Sequence, residues 1–176
     1  MTSAQLAAIL CDSFGAYQLQ GDIVLTDPWT PLGSPTDPFT GIFNGNGFTI
    51  SGLTVDHEKP SAGLFGINNG TIENVNIENA SIKCSKDSCG VLAGQNNGVI
   101  RHCSVSGSSP VQGVIYVGGL VGINRGLISE SYSTVPVLAS SFSVGGLVGR
   151  NEAFISNCYA TGSVTSPTRE NVGGLV

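Results

Sequence analysis

From about residue 41 onward, apolar segments of three to five residues, rich in Val, Ile, Leu and Thr, alternate with Gly and Asn. Segments that short, broken by those residues, predict strands and turns rather than helical stripes. The pattern is periodic. Gly63-Leu64-Phe65-Gly66-Ile67-Asn68-Asn69-Gly70-Thr71-Ile72 aligns with Val91-Leu92-Ala93-Gly94-Gln95-Asn96-Asn97-Gly98-Val99-Ile100. The frame returns at Gly119-Leu120-Val121-Gly122-Ile123-Asn124 and at Gly146-Leu147-Val148-Gly149-Arg150-Asn151. Gly66, Gly94, Gly122 and Gly149 therefore recur at a near-constant step of about 28 residues, within the range of solenoid repeats. Gly173-Gly174-Leu175-Val176 opens a further copy. A degenerate first copy, Gly41-Ile42-Phe43-Asn44-Gly45-Asn46, precedes Ile50, Leu53 and Val55. Its step to the next copy is shorter, about 22 residues, as if its coil lacked one loop.

The period selects the architecture. Helical solenoids and propeller blades need roughly 30 to 45 residues per repeat, and no leucine-rich run is present. A shorter coil holding several short strands predicts an all-β chain, a right-handed parallel β-helix (solenoid) with a short N-terminal capping helix over Ser3 to Ile9. Residues 1–38 read as the cap and first strands. Residues 39–176 read as β-helix coils of about 22–28 residues each, the last one incomplete. Leu64, Leu92, Leu120, Leu147 and Leu175 are expected to stack inward, as are Ile50, Ile72, Ile100, Ile128 and Ile155. Gly66, Gly94, Gly122 and Gly149 mark a turn that needs positive φ or no side chain. Asn68, Asn96, Asn124 and Asn151, with Asn46 before them, form an amide column able to hydrogen-bond from coil to coil.

Composition narrows the classes of function. Twenty-five glycines could signal a low-complexity chain, but 40% hydrophobic residues and a mean hydropathy of +0.21 argue for a folded core. Seven Lys plus Arg against twelve Asp plus Glu, a net charge of −5, leave no basic patch for nucleic acid or anionic membrane. No apolar run approaches the roughly 18 to 20 residues of a membrane span. Met1 to Cys11 lacks the basic stretch of a signal peptide and reads as an amphipathic helix.

These motifs resemble the GLUG-repeat family, in which Gly-Leu-x-Gly is followed by Asn-x-Gly. The N-terminal stretch is similar too: Thr2-Ser3-Ala4-Gln5-Leu6-Ala7-Ala8-Ile9, then Asp22-Ile23-Val24-Leu25, Trp29-Thr30-Pro31-Leu32-Gly33 and Asn44-Gly45-Asn46-Gly47. Val91 and Ala153 depart from the expected glycines. The resemblance spans about residues 2 to 176. It implies a repeat region of bacterial surface and secreted proteins, such as filamentous-haemagglutinin-like adhesins and the non-catalytic parts of IgA-specific metallopeptidases. On that reading Met1 is an added start and the chain is a segment of a longer extracellular or cell-surface protein. The implied role is a non-enzymatic structural or adhesive module. Its partners would be a host or neighbouring-cell surface protein or glycan, and a strand edge at Leu175 and Val176 would favour self-association.

Residues able to carry chemistry are few. Cys103 and Cys158 share a column with Val75 and Ser131 and are expected to face inward, two coils apart and too distant for a disulfide. Cys84 and Cys89 bracket a polar four-residue loop, where a disulfide and free thiols are both open; zinc lacks a second Cys pair. Cys11 is expected buried and free. Asp56-His57-Glu58-Lys59 begins like a zinc-protease helix, but Ser61 stands where the second His belongs and Pro60 breaks the helix. It reads as a solvated loop. Arg101 is expected to pair with Glu73 one coil below, His102 to point outward, and Arg125 to pair with Glu152. Asp12, Asp22, Asp27 and Asp37 suit turns and caps. No catalytic, cofactor-binding or metal residue is expected, and no cofactor. Two alternatives stay open: a polysaccharide-active β-helix enzyme whose site lies beyond this segment, and glycan binding through Trp29, Tyr116, Tyr132 and Tyr159.

Overall fold

A computed structural model describes residues 2–58, 60–167 and 170–176, without the side chains of Leu10, Cys11 and His57. The chain winds into a parallel β-solenoid of about six turns, preceded by one short helix. A full coil has five strands. In the coil that starts at Phe65 they are Phe65–Asn68, Thr71–Glu73, Asn76–Glu78, Ser81–Cys84 and Asp87–Cys89. Each strand pairs in parallel with its counterpart one coil on, which produces five sheets of four, six, six, five and four strands. Parallel pairing of this kind buries one continuous core while each coil touches only its neighbours.

Strands of three or four residues need a bend after each, and the bends are repetitive. Asn46, Asn74, His102, Glu130 and Asn157 all have φ between 49° and 54°. Ser61, Ser88, Tyr116, Ser143 and Asn171 repeat the same left-handed conformation at a second corner, with φ between 51° and 67°. A single left-handed residue turns a strand sharply, and Asn tolerates it best among non-Gly residues. At Glu130 and Tyr116 the fold imposes the conformation on residue types that rarely adopt it.

The glycines of the repeat act differently from one of the two expected roles. Gly66, Gly94, Gly122 and Gly149 do not have positive φ. They are small because backbone lies against them: a Cβ on Gly122 would come within 2.6 Å of the Cys89 nitrogen and the Gly94 oxygen. The Ala153 departure leaves a trace. Thr71, Val99 and Leu127 each donate a backbone N–H to the coil below at 2.9 Å, whereas Phe154, which follows Ala153, does so at 3.3 Å.

The inward Leu column forms over Leu64, Leu92, Leu120 and Leu147, while Leu175 in the last coil is partly exposed and Leu32 bridges to Phe65, one position on from the column. Backbone bonds run from Leu32 to Leu64 and from Leu92 through Leu120 and Leu147 to Leu175. Leu64, Leu92, Leu120 and Leu147 are fully buried. The Ile column needs one correction. Ile72, Ile100, Ile128 and Ile155 are in register, but Phe43, not Ile50, lies beneath Ile72. Ile50 belongs one face further on, between Ile23 and Ile77. Phe43 to Ile72 and Ile50 to Ile77 are spans as long as those of the later coils, so the first copy is not short of a loop. Coils also begin earlier, because Ala16–Gln18 and Ile23–Val24 already pair with Ile42–Asn44 and Thr49–Ser51.

The helix Ser3–Ala7 is fixed by a reciprocal capping box between Thr2 and Gln5 and continues as a 3-10 turn, Ala8–Cys11. Its Leu6 and Ile9 are buried in the core. The helix thereby covers apolar side chains that the first coil would otherwise expose.

Candidate functional site

The most ordered polar feature is the Asn column. Asn68 donates its side-chain amide to the Asn96 oxygen at 2.8 Å, Asn96 to Asn124 at 2.9 Å, and Asn124 to Asn151 at 2.8 Å. Asn68, Asn96 and Asn124 are 0% exposed. The column also bonds backbone in its own turns, as when the Gly70 N–H donates to Asn68 and Asn96 donates to the Gly98 carbonyl. The three buried amides are used internally, and Asn151 at the end of the column is exposed. Asn46 is not a member, a second correction: Phe39 bridges to Asn68 in the coil below, while Asn46 occupies the left-handed corner.

The ionisable groups of the outer faces pair from coil to coil. The Arg101 Nε donates to Glu73 at 2.7 Å, and the His102 Nε2 lies 2.7 Å from Glu130. Glu152 accepts from Arg125 at 2.8 Å and from Arg150 at 2.7 Å. The hydrogen bond from Arg125, more than the two nearby charges, holds its carboxyl below the usual range. Asp12 accepts from the Phe14 N–H, a local turn role, whereas Asp22 and Asp37 accept from the Thr49 N–H and the Ser13 hydroxyl, groups distant in sequence. Among the described residues no three His, Cys, Asp or Glu side chains come together as metal ligands. Of the Asp56–Lys59 cluster, the His57 side chain and Lys59 lie outside the described residues; Thr54–His57 is a strand.

A disulfide joins Cys84 to Cys89 across the corner between two strands, one of the two alternatives left open by the sequence. Cys103 and Cys158 are free, buried and half-buried, with Ser131 between them: its hydroxyl accepts the Cys103 N–H at 3.0 Å. Burial pushes the Cys103 thiol up to about 12. The Cys11 side chain lies outside the described residues.

The aromatic side chains divide into two kinds. Tyr132 and Tyr159 stack, with centroids 4.8 Å apart and planes within 4°. Tyr116 lies beneath the Arg150 guanidinium, 5.3 Å from the ring centre, and edge-on to Phe142. Trp29, by contrast, lines an open cleft of about 310 Å³ between the cap helix and residues 25–30. Nothing in the sequence marked that cleft, because the helix and the loop meet only through the fold.

The repeating unit is now physically defined: an inward Leu, a Gly pressed against backbone, and an Asn in a continuous amide column. The GLUG motif model matches residues 140–165, which hold one such unit. The chain thus carries a GLUG motif, in line with the resemblance seen in its repeats. Halomucin of Haloquadratum walsbyi is 40% identical over 99 residues, which cover 52% of this chain and 1% of halomucin. The crystal structure of a candidate immunoglobulin A1 protease from Bacteroides ovatus superposes with a TM-score of 0.69 and 20% identity, covering 94% of this chain and 66% of that one. At that identity the match shows the shared fold. The chain thus spans about a hundredth of halomucin and under two thirds of the superposed structure.

Proposed function

We propose that this GLUG segment is a non-enzymatic structural module, a rigid spacer that displays surface on an extracellular or cell-surface protein. The internal use of its polar groups carries this reading. The buried amides bond to one another, and Glu73, Glu130 and Glu152 are each engaged by a cation or an imidazole of a neighbouring coil. General acid–base work needs groups held free toward a substrate. Here they hold coil to coil. The disulfide supports an oxidising compartment, where such bonds persist, and the likeness to a protein named as a mucin is compatible with it.

Glycan binding through the tyrosines is the weaker variant. In the Tyr132–Tyr159 stack each ring covers a face of the other, and Tyr116 is covered by Arg150 and Phe142. A polysaccharide-active enzyme remains the rival from another class, with its acids outside this segment.

The test is a molecular ruler. Fluorophores at the two ends of the chain would be compared before and after duplication of residues 93–120, one whole period. A spacer lengthens by about 5 Å per added coil and releases no reducing ends from polysaccharides. An unchanged distance, or turnover by the chain alone, would overturn the proposal.

A further inference from the structure

We propose that the cleft beside Trp29 binds one neutral pyranose residue of a glycan. The proposal does not depend on the spacer reading, since every residue that lines the cleft lies before the repeats. One wall of the cleft is Ser3, Ala4 and Ala7 of the cap helix, and the other is the run from Leu25 to Thr30. Its volume of about 310 Å³ sits at the small end of ligand sites, roughly 300 to 1,000 Å³.

Trp29 is fixed before any ligand arrives. Its backbone N–H donates to the Thr54 carbonyl at 2.8 Å and its indole Nε1 to the Leu64 carbonyl at 2.9 Å. The half-buried ring also packs on the core. An indole whose one polar atom is already bonded offers only an apolar surface, and a fixed ring loses little entropy on binding.

Asp27 supplies the polar counterpart. The other N-terminal acids are engaged by close bonds of 2.8 to 3.2 Å, whereas the contact to Asp27 is the Thr26 hydroxyl at 3.4 Å. Its carboxylate is exposed at the cleft with acceptor capacity to spare. Ser3, Thr26 and Thr30, each carrying a hydroxyl, line the same space. A fixed apolar ring with hydroxyls and one carboxylate around it matches a molecule with an apolar C–H face and a rim of hydroxyl donors. Among the described residues no Lys, Arg or His lines the cleft, so an anionic sugar would meet the Asp27 carboxylate without a lining cation to offset it.

Trp29 is the only Trp in the sequence, so intrinsic fluorescence reports on this site alone. The whole chain would be titrated with neutral hexose and N-acetylhexosamine oligosaccharides, uronate oligosaccharides, a proline-rich peptide and a lysine-rich peptide. The expected result is a saturable spectral change with a neutral oligosaccharide, a weaker one with uronates, and none with either peptide. Asp27→Ala should weaken neutral-sugar binding about tenfold with unchanged circular dichroism, the loss of one charge-assisted hydrogen bond. Asp27→Asn should narrow the gap between neutral and uronate sugars. No saturation with any neutral sugar, saturation by a peptide instead, or unchanged affinity in Asp27→Ala would each overturn the assignment.

Discussion

Replacing Asn96 by Ala probes the amide column at its most enclosed point. Asn96 is 0% exposed, accepts from Asn68 at 2.8 Å and donates to Asn124 at 2.9 Å, with further contacts to the Gly98 and Leu127 carbonyls at 3.3 Å. The substitution removes both amide–amide bonds, each worth about 0.5 to 1.5 kcal/mol net. It also leaves polar atoms of Asn68, Asn124 and Leu127 in a space water does not reach, adding about 1 kcal/mol or more. A total loss of roughly 2 to 4 kcal/mol is expected by these magnitudes. Asn97→Ala is the matched control, since Asn97 is exposed and its bond to Asn69 can be replaced by water; its cost should be below about 1 kcal/mol. Equilibrium urea unfolding reads both, and with a slope of about 2 kcal/mol per molar the Asn96→Ala midpoint should fall by roughly 1 to 2 M. Equal midpoints for the two variants would refute the idea that the buried amides hold the coils in register.

Three further outcomes are expected. Ser133→Ala should raise stability by about 1 kcal/mol in the same urea assay, because the Ser133 hydroxyl is buried with no hydrogen-bond partner among the described residues. Gly122→Ala should cost about 1 to 3 kcal/mol or prevent folding, since the new Cβ meets Cys89 and Gly94 backbone at 2.6 Å, whereas Gly21→Ala, with open space around it, should be near neutral. Alkylation of the native protein at pH 8, followed by peptide mapping, should label Cys158 before Cys103. Burial raises both thiols but Cys103 further, to about 12, so its reactive thiolate is almost absent at that pH. Cys84 and Cys89 should label only after reduction, and that reduction should cost about 2 kcal/mol by loop-closure entropy.

Periodicity made most of the fold legible. The Leu and Asn columns follow from identical residues at a fixed step, and the fold places them in register from coil to coil. The first coils were harder to read because their inward residues differ in kind: Phe43 stands where later coils have Ile, and counting from Gly41 put Ile50 on the wrong face. The left-handed corners were readable in part. Asn46, Asn74 and Asn157 fall at the same step and favour that conformation, but His102, Glu130 and Tyr116 hide the column by their identity. Pairs such as Arg101 with Glu73 came from the period alone. The cleft at Trp29 did not, since no repeat contains it and its two walls are brought together only by the fold.

The claim that one GLUG frame equals one coil is tested most directly by methyl nuclear Overhauser spectroscopy on the Ile side chains of the native protein. Ile72, Ile100 and Ile128 lie on consecutive coils in register, about 5 Å apart per step. Strong cross-peaks are expected between Ile72 and Ile100 and between Ile100 and Ile128, with Ile50 joined to Ile77 and Ile23 instead. A direct Ile72–Ile128 cross-peak of equal strength, or the absence of the Ile72–Ile100 one, would contradict the solenoid register on which every other statement rests.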